Sequence, residues 1–199
     1  MRLIIASNNS HKVREIRQIL GQYFSEMSTL KEAGIDIDVV EDGTTFQENA
    51  LKKAKEVLAA ADGFDAALAD DSGLMVDALN GAPGIYSARY AGEGHNDQEN
   101  NAKLLKDMEN VPDVKRTCRF ASSIALVRRG KEPIIVIGYA EGVLLRERHG
   151  ENGFGYDPLF FYPPLQKTFA ELSADEKNAV SHRSRSLALL REALEREQA

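Results

Sequence analysis

The chain has 199 residues, 43% hydrophobic and 28% charged, with a formal net charge of −6. That length suits one sizeable domain or a two-lobed one with a real core, and the acidic balance argues against a general nucleic-acid-binding surface. The single cysteine, Cys118, cannot form an internal disulfide and points to a reducing compartment. No apolar run reaches membrane-spanning length, and polar Ser7-Asn8-Asn9 follow Met1 to Ala6 too soon for a signal segment. A cytoplasmic protein with neither membrane nor nucleic acid as partner is expected.

Leu3 to Ala6 reads as a buried strand, Ser7-Asn8-Asn9-Ser10 as the turn leaving it, and a helix follows with Val13, Ile16, Ile19 and Leu20 on one face. This order puts free backbone N–H groups at a helix start, a natural anion site. Lys12 sits in that first turn, where a cation opposes the helix dipole unless an anion is near. Ile35 to Val40 alternates apolar and acidic residues, which predicts a half-exposed strand ending at Glu41-Asp42-Gly43. Thr45 and Glu48 then form a capping box for a helix running to about Ala60, with Asn49 and Lys53 four apart on one face.

Ala66 to Ala69 predicts a buried strand that ends in an acidic elbow, Asp70-Asp71-Ser72-Gly73, before Leu74-Met75-Val76. Paired carboxylates at the edge of a core repel each other unless cations or strong donors meet them. Gly81 to Gly92 reads as a shaped loop, and Asn96 or Asp97 caps a helix carrying Leu104, Leu105 and Met108. Arg119 to Val127 and Ile134 to Leu144 predict a hairpin. The glycine-rich run from Gly150 to Pro158 leads into a short strand over Leu159 to Tyr162, and Ser173 with Glu176 forms a second capping box. Strands interspersed with helices, one hairpin among them, predict an α/β fold with a mixed sheet.

These features sort into roles. Glu41 and the pair Asp70-Asp71 are hard oxygen ligands at predicted strand ends, a set that suits Mg²⁺. Lys12, Lys53, Lys177 and Arg183 offer countercharge to a polyphosphate. Phe154 and Tyr156, presented between glycines, offer a stacking surface for a base.

Five blocks carry a resemblance: Ser7 to Lys12, Ala69 to Leu74, Gly81 to Tyr90, Gly153 to Pro158 and Ser181-His182-Arg183. In this order they resemble the inosine triphosphate pyrophosphatase family, specifically its bacterial XTP/dITP diphosphatase branch. The resemblance covers residues 1–199 as a single α/β domain. It implies an elongated mixed sheet flanked by helices, two lobes with an active-site cleft between them, and a homodimer. It also implies Mg²⁺-dependent hydrolysis of ITP, dITP and XTP to the monophosphate and pyrophosphate.

Carried over by position, Ser7, Asn8, Asn9, Ser10, His11 and Lys12 form the triphosphate loop. Many members have Thr-Gly-Asn where this chain has Ser7-Asn8-Asn9. Glu41 and Asp71 hold the metal, Asp70 is a further candidate ligand, and Asp71 is also the catalytic proton acceptor. Lys53 and Ser72 contact substrate, Phe154, Gly155, Tyr156 and Asp157 grip the nucleoside, and Lys177, His182 and Arg183 complete the pocket. Two rivals keep part of the pattern. A Maf-like pyrophosphatase of other modified nucleotides has the same chemistry with another pocket. A non-catalytic nucleotide-binding module keeps the loops but has no use for Glu41 and the Asp pair.

Overall fold

The computed structural model describes residues 1–7, 9–94 and 96–198. Its elements run β1 (Arg2–Ile5), α1 (Ser10–Leu20), β2 (Glu26–Thr29), α2 (Phe46–Ala60), β3 (Ala66–Val76), α3 (Asp97–Asp107), β4 (Thr117–Arg128), β5 (Ile134–Leu144), β6 (Phe160–Tyr162), β7 (Lys167–Thr168), α4 (Ala174–Val180) and α5 (His182–Gln198). The strands form one seven-stranded sheet in the order β2-β1-β3-β4-β5-β6-β7. β1 pairs in parallel with β2 and β3, whereas β6 pairs antiparallel with β5 and β7. The predicted α/β fold with a mixed sheet is therefore the one adopted.

The chain divides into two compact units. One comprises Met1–Asp71, Ser122–Gly138 and Arg183–Ala199, and the other Ser72–Ala121 and Tyr139–His182. In the first, alternation along the strands sorts the core into two clusters. Leu3, Ile5, Ala66 and Leu68 pack against Val13, Ile16 and Leu20 of α1 and Leu187, Leu190 and Leu194 of α5. Ile4, Ala6, Ala67 and Ala69 pack against Ala50, Ala54, Val57 and Leu58 of α2. Because both faces are covered, β1 from Leu3 onward and Ala66 to Ala69 of β3 are apolar at every position, as parallel strands usually are. The second unit is built around Leu74, Val76, Phe120, Leu159, Phe160 and Phe169. Phe160 and Phe169 meet at 4.6 Å between centroids, tilted by 58° as aromatic pairs prefer.

Three local expectations change. The acidic stretch is not a turn: β3 is one strand of 11 residues that runs straight through Asp70 and Asp71. Turn chemistry at Ser72-Gly73 yields because both carboxylates have partners, so the chain need not turn to reach water. The strand expected over Ile35 to Val40 is irregular chain. Its alternation is real, since Ile35, Ile37 and Val39 pack on the α2-side core, but the sheet edge belongs to β2. The capping box at Thr45 is half formed. Thr45 Oγ1 accepts from Glu48 N–H at 3.1 Å, while the Glu48 carboxylate turns to Thr44 N–H and Oγ1, each at 2.7 Å. The box at Ser173 and Glu176 is complete.

Candidate active site

Adjacent strand residues point to opposite faces. Asp70 therefore continues the face of Ala66 and Leu68, toward α1 and α5, and Asp71 continues the face of Ala67 and Ala69, toward α2. One residue apart in sequence, the two carboxylates meet different helices.

Asp70 is buried among cations. Its Oδ2 lies 2.9 Å from Arg183 Nε at the start of α5 and 2.9 Å from Lys12 Nζ in the first turn of α1. Ser122 Oγ of β4 donates to Oδ1 at 2.7 Å. Arg183, only 1% exposed, also reaches Glu15 Oε2 of α1 at 3.3 Å. Burial by itself would lower the Arg183 pKa, but the charges of Asp70 and Glu15 outweigh it and raise it. The four ionised groups balance, the condition for keeping charges away from water. Asn9 fixes the approach of Lys12, its Oδ1 accepting from Lys12 N–H at 3.2 Å in the manner of an N-cap.

Asp71, 8% exposed, has the opposite electrostatics. Burial and then the nearby charge of Glu41 push its carboxyl up to about 6, against the pull of Asn49 and Lys12. Asn49 Nδ2 on α2 donates to Asp71 Oδ2 at 3.1 Å, and Asn49 Oδ1 accepts from Gly43 N–H at 2.8 Å. A Cβ at Gly43 would lie 2.6 Å from that Oδ1, so only glycine lets the 41–43 segment come this close. One turn along α2 from Asn49, Lys53 Nζ pairs with Glu41 Oε1 at 2.6 Å. Glu41 sits in irregular chain rather than at a strand end, and Lys53 pairs with its carboxylate.

The donor set of Glu41 and Asp71 fits Mg²⁺, which takes one or two carboxylates and fills its shell with water and substrate phosphate. A cation shared by the two would offset the repulsion that raises Asp71. Among the described residues no group of three or more His, Cys, Asp or Glu is arranged to hold a metal ion. Asp70 does not join this set, because its face of β3 turns it to Lys12 and Arg183.

In the second unit the loop 153–157 is held from several sides. Phe154 N–H donates to Asp157 Oδ2 at 2.9 Å, and Lys177 of α4 pairs with the same carboxylate. Lys177 Nζ also lies 4.7 Å from the Phe154 ring centroid. A Cβ at Gly153 (φ +79°) would fall 2.1 Å from Asp157 Oδ2, so glycine is required there for conformation and space alike. Phe154 is 37% exposed and presents its ring, but Tyr156 is only 4% exposed. Tyr156 Oη donates to Ser87 O at 2.8 Å. The expected stacking wall therefore shrinks to Phe154, with Tyr156 a buried post beneath the loop. His182, 5% exposed, stacks on Phe120 with centroids 4.8 Å apart.

The structure thus brings Lys12, Asp70 and Arg183 together, sets Glu41 and Lys53 beside Asp71, and gathers Phe154, Asp157 and Lys177. Ser7 and Ser10 flank the start of α1, and Ser72 is half-buried in β3. Asn8 and the side chain of His11 lie outside the described residues. Asn49, Glu15 and Ser122 were not anticipated as site residues. Asn49 had a signal in its helical spacing to Lys53, whereas Glu15 and Ser122 had none.

An α/β sheet thus carries, on adjacent residues of one strand, a neutralised and a repelled carboxylate, with Lys12 and Lys53 paired to Asp70 and Glu41. Residues 3–193 match the profile of the Ham1 family. A dITP/XTP pyrophosphatase of Clostridium perfringens is 52% identical over 197 residues, covering 97% of each chain. Another, from Geobacter sulfurreducens, is 50% identical over 193 residues, covering 97% of this chain and 96% of the relative. The solved structure of the Staphylococcus aureus Ham1 protein superposes with a TM-score of 0.89 at 41% identity, covering 99% of this chain and all of that one. The chain belongs to the Ham1 family.

Proposed function

We propose that the chain is a nucleoside triphosphate pyrophosphatase that hydrolyses dITP, XTP and ITP to the monophosphate and pyrophosphate. The observation that carries this reading is Asp71, a buried carboxylate raised to about 6 by burial and Glu41, on a strand flanked by Lys12 and Lys53. A carboxylate with that proton affinity is ionised at neutral pH yet basic enough to accept a proton from an attacking water. Water attacks the α-phosphorus in line, pyrophosphate leaves, and Asp71 takes the proton. Lys12 and Lys53, each now ion-paired to a carboxylate, exchange those partners for phosphate oxygens and offset the charge that develops.

Glu41 and Asp71 would hold Mg²⁺, which supplies Lewis-acid polarisation of the phosphoryl oxygens when bound. Arg183, committed to Asp70 and Glu15, keeps Asp70 neutralised when Lys12 turns to phosphate. Phe154 stacks on the base. Lys177 and His182 lie at the nucleoside end, where a donor to a purine 6-oxygen accepts hypoxanthine and xanthine and leaves adenine facing donor to donor. A free, buried Cys118 suits the cytoplasm, and the same reading carries a homodimer, which light scattering tests.

Pyrophosphate release over dITP, XTP, ITP, ATP and GTP, with and without Mg²⁺, tests the reading. High rates are expected on the first three with Mg²⁺ present, and low rates on ATP and GTP. Equal rates on all five would overturn the substrate assignment, and release independent of Mg²⁺ would overturn the metal's.

A further inference from the structure

The backbone of Gly155, the residue after Phe154, is gripped at both its N–H and its C=O by one helix. Gly155 N–H donates to Asp97 Oδ2 at 2.7 Å, and Gly155 O accepts from Asn101 Nδ2 at 2.9 Å. Asp97 and Asn101 are four apart on α3, so they share a face and sit one turn above the other. The same Asn101 amide donates to Asp97 O at 2.6 Å, which fixes its orientation. Asn101 is 1% exposed and Asn96 caps this helix end through Gln98 and Glu99 N–H, so the first turn of α3 is a rigid platform. Gly155 has φ +61° and nothing within 4 Å of where a Cβ would be, so glycine serves backbone conformation here, not space.

Exposed Asp97 and buried Asn101 each spend a hydrogen bond on a loop 58 and 54 residues away in sequence, respectively. That loop displays a ring left 37% exposed, and Lys177 lies against it. An exposed aromatic held this firmly is preorganised for a flat partner, because the ordering entropy is removed before binding. We propose that Asp97 and Asn101 are positioning residues that fix the backbone on both sides of Gly155, next to the Phe154 ring, and thereby set affinity for the purine end of the substrate. This rests on the reading of the loop as the nucleoside grip.

The test compares Asp97→Ala with Asp97→Asn, which keeps an acceptor for Gly155 N–H. Asp97 is exposed at the helix start, so both variants are expected to fold, and Asn101→Ala provides the second arm. KM for XTP should rise about tenfold in Asp97→Ala with kcat within about twofold, following loss of a charge-assisted hydrogen bond. Inhibition by xanthosine monophosphate should weaken by the same factor, and inhibition by inorganic tripolyphosphate should not change. Asp97→Asn should recover most of the loss. An active wild type whose variants keep their KM, or lose affinity for tripolyphosphate equally, would overturn the clamp alone. A wild type that releases no pyrophosphate from any purine triphosphate would overturn the underlying reading and the clamp with it.

Discussion

Asp70 and Asp71 share a strand, a side chain and nearly the same burial, yet they stand in opposite electrostatic settings. Asp70 faces Arg183, Lys12 and the Ser122 hydroxyl. Asp71 faces Asn49 and the charge of Glu41. The half-turn of a pleat is enough to make one a structural anion and the other a carboxyl with an elevated proton affinity. What differs is the helix packed on each face, which the strand's own sequence does not state.

The largest effect that sharpens this contrast is on turnover. Asp71→Asn should lower kcat by about 10³-fold, the scale of a lost general base, with circular dichroism unchanged. Asp70→Ala should act on stability instead. It leaves Arg183 buried with Glu15 alone, and removing one member of a buried ionic cluster costs about 3–5 kcal/mol, read as a lower urea midpoint. If Asp70→Ala left stability intact and Asp71→Asn left turnover intact, the division of labour would be overturned.

The proton affinity of Asp71 gives a third test, made in EDTA so that no cation intervenes. Its folded pKa of about 6 exceeds the unfolded value, so the native state binds the proton more tightly. Stability therefore falls as pH rises from about 4 to about 6, and the penalty of about 2–3 kcal/mol stands in full above that window. Asp71→Asn should remove it, raising the melting temperature at pH 8 and giving no gain below about pH 4. A gain that was constant with pH would show that charge is not its cause. The smallest effect belongs to Thr45, which caps the helix bearing Asn49 and Lys53. Thr45→Ala should cost about 1 kcal/mol by thermal melt and leave kcat within about twofold.

The parts of this arrangement that were readable in the sequence are those with local causes. The apolar faces of α1 and α2, the cap at Asn96 and the box at Ser173 rest on spacings of three or four residues. β2 was not readable, because Glu26-Met27-Ser28-Thr29 is short and polar and becomes a strand only by pairing with β1. The acidic pair was visible, but the Ser-Gly cue implied a turn where cations allow a continuous strand. Tyr156 and Phe154 look equivalent between their glycines, and only the Ser87 carbonyl beneath the loop separates the buried ring from the displayed one. Arg183 reads as a ligand contact until its partner is seen 113 residues upstream.

That separation has a consequence for how the protein comes into being. The first unit needs Arg183–Ala199 to be complete, and the chain passes from one unit to the other at residues 71, 121, 138 and 182. On the ribosome, Asp70 and Lys12 emerge long before Arg183, and an ionic cluster missing one member resists burial until then. The acidic strand should therefore be the last part of its unit to settle, after release of the C-terminal helix. A stop codon that removes only this helix should leave a nascent chain with no working centre, and no single cut in the gene yields either unit whole.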